Sequence, residues 1–192
     1  NGGGCHGGGE VLAMPKQEIL PNHYVRPGHI FLPDNAIRLG AVVGSGVVLT
    51  VYDRRLRRGG LGYYTHPVRK GRLSSPVFAA PSIVRLIELF RDGGAREVDL
   101  EAHLYGGSVN AACSRYEAGL SEANVRTGLQ LLQKLRVGVV GQDVGGSRGR
   151  KIIFHTGTGE TLVAKVESVR ETDWYPPWDP DELARLEARH HA

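Results

Sequence analysis

Ser45 stands between two glycines in Gly44-Ser45-Gly46. A hydroxyl on a tight turn at the end of a buried strand is one way for a fold to present a nucleophile. A nucleophile elbow needs glycine two residues before and two after the serine, and Val43 and Val47 occupy those places, so the spacing favours a structural turn built from ordinary turn residues. The other reactive side chains are two cysteines in unlike settings. Cys5 neighbours His6 in a glycine-rich start, but a structural zinc site wants four ligands and no second pair follows, so neither metal nor other cofactor is expected. Cys113 lies beyond Gly106-Gly107, with His103 and His155 as candidate bases. Free cysteine more commonly serves as a small buried hydrophobe. Two such cysteines make no disulfide framework, which fits a reducing compartment.

The elements that must position these residues are legible in the apolar pattern. β-Branched runs at 41–43 and 47–52 flank the Gly-Ser-Gly tripeptide and predict strand, exposed turn, strand. Prolines and Gly28 punctuate 21–33, predicting an extended arm or edge strand. Arg54-Arg55-Leu56-Arg57-Arg58-Gly59-Gly60 then joins two strands; it reads as a solvated hairpin tip or, through its four arginines, as a contact for an acidic partner helix. A strand over 61–66 closes at Pro67, and a basic loop follows over 68–76.

Ile83, Leu86, Ile87 and Phe90 fall at i, i+3, i+4 and i+7, so the spacing predicts a helix over 82–92 stopped by Gly93. A strand over 97–105 ends at Gly106-Gly107. Ser121 is placed to cap a second helix over 121–136, with Val125, Leu129, Leu132 and Leu135 as its buried face and Gly138 beyond its end. Val139 and Val140 start a short strand. Residues 143–150 form a glycine-rich basic loop that is not a phosphate loop, since the Walker pattern needs lysine and then Ser or Thr at the head of a helix and a strand follows here; its glycines read as backbone crowded against the core in preference to an anion-binding loop. The loop leads into a hairpin over 151–166 that turns at 156–159.

The organisation expected is a flexible glycine-rich segment over 1–20, one domain over 21–170, and an aromatic and proline-rich end over 171–192. In that end Trp174 and Trp178 flank Tyr175-Pro176-Pro177, and Asp179, Pro180 and Glu182 predict a short terminal helix that packs back on the domain or docks on a partner. The start at Asn1 rather than methionine fits a trimmed chain. No apolar run approaches the roughly 20 residues that cross a bilayer, and no secretory leader is evident, so the cytoplasm is the expected compartment without membrane insertion. A net charge of +4 is mildly basic, and no aromatic residues interleave with the basic ones to stack bases, so no nucleic-acid partner is expected.

Taken together and in order, the motifs resemble the bacterial chemoreceptor glutamine deamidases, the CheD family. The pieces are the Pro27-Gly28 arm, Val43-Gly44-Ser45, the strand from Val47 to Asp53, Gly59-Gly60-Leu61, Gly94-Ala95, Leu100-Glu101-Ala102, Tyr105-Gly106-Gly107, Asn124-Val125, Asp143 to Arg150, and Thr158-Gly159-Glu160. The resemblance spans about residues 24–166. It implies a single α/β domain, mixed β-sheets layered with the two amphipathic helices. It also implies hydrolysis of glutamine side-chain amides on chemoreceptor helices by a cysteine nucleophile, a histidine base and a threonine. Such chemistry suits those types, since a thiolate attacks well near neutral pH and an imidazole both activates it and protonates departing ammonia.

Carried onto this sequence, the cysteine position falls at Gly46, the histidine at Tyr63 and the threonine at Gly40. Glycine has no nucleophile, and tyrosine, with an ordinary pKa near about 10, is a poor base. The expectation is therefore a deamidase fold without deamidase chemistry, a binding or regulatory protein. By the same resemblance its partners are chemoreceptor cytoplasmic helices or the response-regulator phosphatase that family members pair with. Two rivals remain: an amidohydrolase with a relocated nucleophile at Cys113 or Ser45, and reuse of the fold in another assembly through Trp174 to Trp178. His66 is a weaker relocated base, because an odd offset from Tyr63 along a strand turns its side chain to the other face.

Overall fold

The computed structural model describes residues 21–68, 75–109 and 117–167. Two mixed sheets face each other, and two helices cover the far side of one of them. The first sheet runs β1-β3-β8-β9, with β1 His23–Tyr24, β3 Arg38–Val43, β8 Gly149–His155 and β9 Thr161–Val166. The second runs β2-β5-β4-β6-β7, with β2 Ile30–Phe31, β4 Val47–Asp53, β5 Arg58–Tyr64, β6 Leu100–Gly106 and β7 Gly138–Val144. β1 on β3 and β6 on β7 are parallel pairs, and the others are antiparallel. The proline-rich arm thus supplies two short edge strands, as its composition predicts.

β4 explains the layering. Val47, Leu49 and Val51 point to the helices, where they meet Ile83, Leu86, Ile87 and Phe90, while Val48 points between the sheets toward Ala41, Val43, Tyr63 and Ile152. A central strand buried on both faces needs an apolar run rather than alternation, and residues 47–51 supply it, with the buried Thr50 as the one polar member.

α1 spans Ala79–Asp92, three residues earlier than the expected start, with Pro81 inside its first turn. Proline is tolerated there because the first N–H groups of a helix have no intrahelical acceptor. α2 spans Leu120–Lys134 and departs further from expectation. Ser121 is not its cap: Gly119, at φ 78, holds the N-cap position, and Ser121 Oγ donates to the Ser108 carbonyl at 2.8 Å. The buried face carries Ser121, Asn124, Gly128 and Leu132, with Val125, Leu129 and Leu135 only partly covered. The helix turns a polar and small face inward because the Tyr64 hydroxyl occupies the space a side chain at position 128 would take. The helix ends at left-handed Arg136, φ 57, and Gly138 instead opens β7.

Two further differences concern strands. Residues Glu97–Asp99 form a single 3-10 turn before β6 begins. Gly145 and Gly146 are not crowded: nothing lies within 4 Å of where their Cβ atoms would be, and their role is conformational, at φ 75 and 70. What fixes that loop is Arg150, 2% exposed, whose guanidinium donates to Asp143 Oδ1 at 2.9 Å and to the Arg148 carbonyl at 2.9 Å.

Candidate functional site

Gly44-Ser45-Gly46 carries the chain from β3 in one sheet to β4 in the other. All three of its carbonyls are engaged, each by a different donor. Ser108 N–H donates to Gly44 at 2.9 Å, Asn124 Nδ2 to Ser45 at 3.0 Å, and Gly107 N–H to Gly46 at 2.7 Å. The approach of β6 demands glycine at position 106, at φ 115, because a Cβ there collides with the Gly46 carbonyl. Asn124 also donates to the Thr65 carbonyl at 2.9 Å, so one carboxamide on α2 ties the turn to the end of β5. The sequence reading missed this clamp. Its signal is an asparagine on the inward face of a helix, adjacent to Val125.

Tyr63 and Tyr64 point to opposite faces of β5. Tyr64 enters the helix-side core and donates to the Asn124 carbonyl at 3.0 Å, and burial pushes its phenol well above the usual tyrosine range. Tyr63 is 2% exposed between the sheets and donates to the Val42 carbonyl at 3.0 Å. Its ring lies beside Gly46: a Cβ added there would stand 3.0 Å from Tyr63 Cε2 and 2.8 Å from the Tyr64 carbonyl oxygen. Gly40 faces elsewhere. Its neighbours Leu39 and Ala41 point between the sheets, whereas a Cβ on Gly40 would meet Pro21 at 2.6 Å and Tyr24 at 3.0 Å. Positions 46 and 63 therefore adjoin, and position 40 lies on the outer face of its sheet, buried under Pro21 and Tyr24.

The other candidates are scattered. Ser45 is exposed, and among the described residues its hydroxyl has no hydrogen bond to a histidine. His66 is exposed past the end of β5, its Nδ1 2.9 Å from Thr65 Oγ1 and its ring beside Phe78. His103 sits on β6 above Gly141; burial lowers its pKa, opposed by the charge of Glu101. Cys5, His6, Cys113, Trp174 and Trp178 lie outside the described residues. Of the arginines on the 54–58 turn, Arg54 pairs with Glu101 at 3.3 Å, Arg55 with Asp99 at 3.4 Å and Arg58 with Asp34 at 2.9 Å. Arg57 occupies a left-handed position at φ 53. Most of the positive charge expected on this tip is thus matched by acids of the same chain. Among the described residues no helix is long and apolar enough to cross a membrane.

A cleft of about 450 Å³ opens between α2 and the two glycine loops, with Gly107, Val125, Leu129, Val144 and Gly146 along its walls. The class defined by this arrangement is a two-sheet α/β scaffold whose β3–β4 turn, β5 end and double-glycine loop converge on one point. The family described as CheD chemotactic sensory transduction matches residues 66–165. A probable chemoreceptor glutamine deamidase CheD 1 of Anaeromyxobacter dehalogenans is 32% identical over 143 residues, 74% of this chain and 84% of its own length. One of Trichlorobacter lovleyi is 30% identical over 155 residues, 79% of this chain and 96% of its own. The chain belongs to the CheD family.

Proposed function

We propose that this chain is a cytoplasmic CheD-family protein that has lost glutamine deamidation at the family's site and acts by binding. Chemoreceptor cytoplasmic helices are its first partner, in line with the activity named for its relatives, and a chemotaxis response-regulator phosphatase is the second. One observation carries the reading: the position resembling the family nucleophile is Gly46, which bears no side chain, and its neighbour Tyr63 is a buried phenol already donating to the Val42 carbonyl. No group at this point could attack an amide carbon, and none offers the lone pair that activates a thiol. The packing argues in the same direction. The tyrosine ring and the Tyr64 carbonyl stand within 3.0 Å of where a cysteine Cβ would have to be, and Pro21 within 2.6 Å of a threonine Cβ at position 40.

The test is ammonia release from a glutamine-bearing receptor cytoplasmic fragment, with pull-down of the same fragment and of the phosphatase. The natural chain is expected to bind one of them and release no ammonia above background. Ammonia release by the natural chain, or failure to bind either partner, overturns the proposal. The triple variant Gly46→Cys, Tyr63→His, Gly40→Thr serves alongside, and gain of ammonia release in it supports the assignment of the three positions.

A further inference from the structure

Four strands end the two sheets, and they are unlike one another as edges. β1 and β2 are two residues each, and β7 is irregular against β6, where Ala102 pairs with Val139 and His103 with Gly141 while Val140 is left over. Short or bulged strands are poor templates for further pairing. β9 is different. Its six residues, Thr161–Val166, hold one unbroken register on β8, from Phe154 opposite Thr161 to Gly149 opposite Val166, and contain no proline. Leu162 and Val163, on opposite faces of the strand, are 56% and 37% exposed among the described residues.

The hydrogen bonds where β8 ends show which groups of β9 face outward. His155 N–H donates to the Glu160 carbonyl at 2.9 Å and Thr156 N–H to the Ile37 carbonyl at 3.0 Å, so odd-numbered residues of β8 bond toward β9 and even-numbered ones toward β3. By the register, Leu162, Ala164 and Val166 are then the β9 residues that bond β8. Thr161, Val163 and Lys165 turn their N–H and C=O groups to the free side, and among the described residues no backbone group meets them. Such an edge complements itself. Turned about a two-fold axis at Val163, β9 lies antiparallel to a copy of itself: Val163 faces Val163, Thr161 faces Lys165, and on the other face Leu162 meets Ala164. No like charges stand opposite each other, and every outward backbone group gains a partner. We propose that two copies of this chain pair through β9 in that register, joining their four-stranded sheets edge to edge. One strand per copy is a small contact, so the dimer is weak and reversible rather than permanent. This pairing is independent of whether the Gly46 site retains any chemistry.

Sedimentation velocity of the full chain across a concentration series should show a monomer–dimer equilibrium with its midpoint in the micromolar range. Val163→Pro removes the N–H at the two-fold axis without removing a bond to β8, and should weaken dimerisation by about tenfold or more. Leu162→Lys and Ala164→Glu should each weaken it as well. The two combined in one chain should restore it, because the register sets position 162 of one copy opposite position 164 of the other. Val98→Glu, at an exposed apolar residue on the 3-10 turn before β6, should change nothing. Far-UV circular dichroism confirms that each variant is folded. A full chain that stays monomeric throughout the series overturns the proposal without recourse to any variant, and is the result expected if β9 instead takes a strand from another protein. A dimer indifferent to Val163→Pro, or one that the combined Leu162→Lys and Ala164→Glu substitutions fail to restore, overturns it too.

Discussion

At position 63, proposed above as the place of the family's histidine, the tyrosine side chain is part of the core. The Tyr63 hydroxyl reaches the Val42 carbonyl at 3.0 Å and the ring fills the space over Gly46. Tyr63→Phe should therefore lose about 1 kcal/mol in urea unfolding, because it strands a buried carbonyl without emptying the cavity. Gly46→Ala should cost about 1–3 kcal/mol, since the new methyl must displace the Tyr64 carbonyl or the Tyr63 ring. The two positions should couple. In a Tyr63→His background the ring contact is relieved, and the penalty for Gly46→Ala should fall by more than the error of two independent measurements; strict additivity would show that Tyr63 does not occupy that space.

The turn is held by elements more than by its own residues. Asn124 on α2 bonds the Ser45 and Thr65 carbonyls at 3.0 and 2.9 Å, so Asn124→Ala leaves both without that donor and should cost about 2–3 kcal/mol by chemical denaturation. On the far side, the 143–150 loop reaches the turn through β6: Gly145 N–H donates to the Gly106 carbonyl at 2.9 Å, and Gly107 N–H to Gly46 at 2.7 Å. That loop depends on Asp143 and Arg150. Burial acts to raise the Asp143 pKa, but the hydrogen bond and charge of Arg150, with Lys165 behind them, outweigh it and hold the carboxyl below its ordinary value. A depressed carboxylate pKa contributes stability that is present above the unfolded-state value and is lost as pH falls through the folded-state one. Asp143→Asn should cost about 2–3 kcal/mol near neutrality, less than for a fully enclosed pair because Asp143 is 32% exposed. The difference between the two proteins should shrink as the solution is acidified below the ordinary carboxylate range; a difference that grows in acid would contradict the pairing.

Over the whole molecule, two apolar layers share one sheet. β4 is buried against both, so its pairing with β5 and β6 fixes the relation of the helices to the outer sheet. Among the described residues the same architecture leaves β7 and β9 as uncovered ends. A chain truncated after Glu167 is expected to keep the fold of the described residues, whose last strand ends at Val166, and to associate with concentration through the β7–β9 edge. Light scattering of the truncated and full chains across a concentration series checks this. Equal, monomeric scattering from both would remove the edge from consideration as an association surface.

Local pattern determined the strands on either side of Gly44-Ser45-Gly46, the amphipathic stripe of α1 and the final hairpin, because a period of two or of three to four residues is written directly in the order of side chains. It also determined family membership, through glycine and acidic motifs spread along the chain. The inward face of α2 was not legible. Apolar spacing pointed to Val125 and Leu129, and the helix turned Asn124 and Gly128 inward because Tyr64, sixty residues distant in the chain, occupies that space and because two strand-end carbonyls needed a donor. The adjacency of positions 46 and 63, the outward aspect of position 40 and the neutralisation of the arginine turn by Asp34, Asp99 and Glu101 belong to the same category. Each is a contact between residues far apart in the chain, set by which face of a strand or helix meets which neighbour, and only tertiary packing decides that.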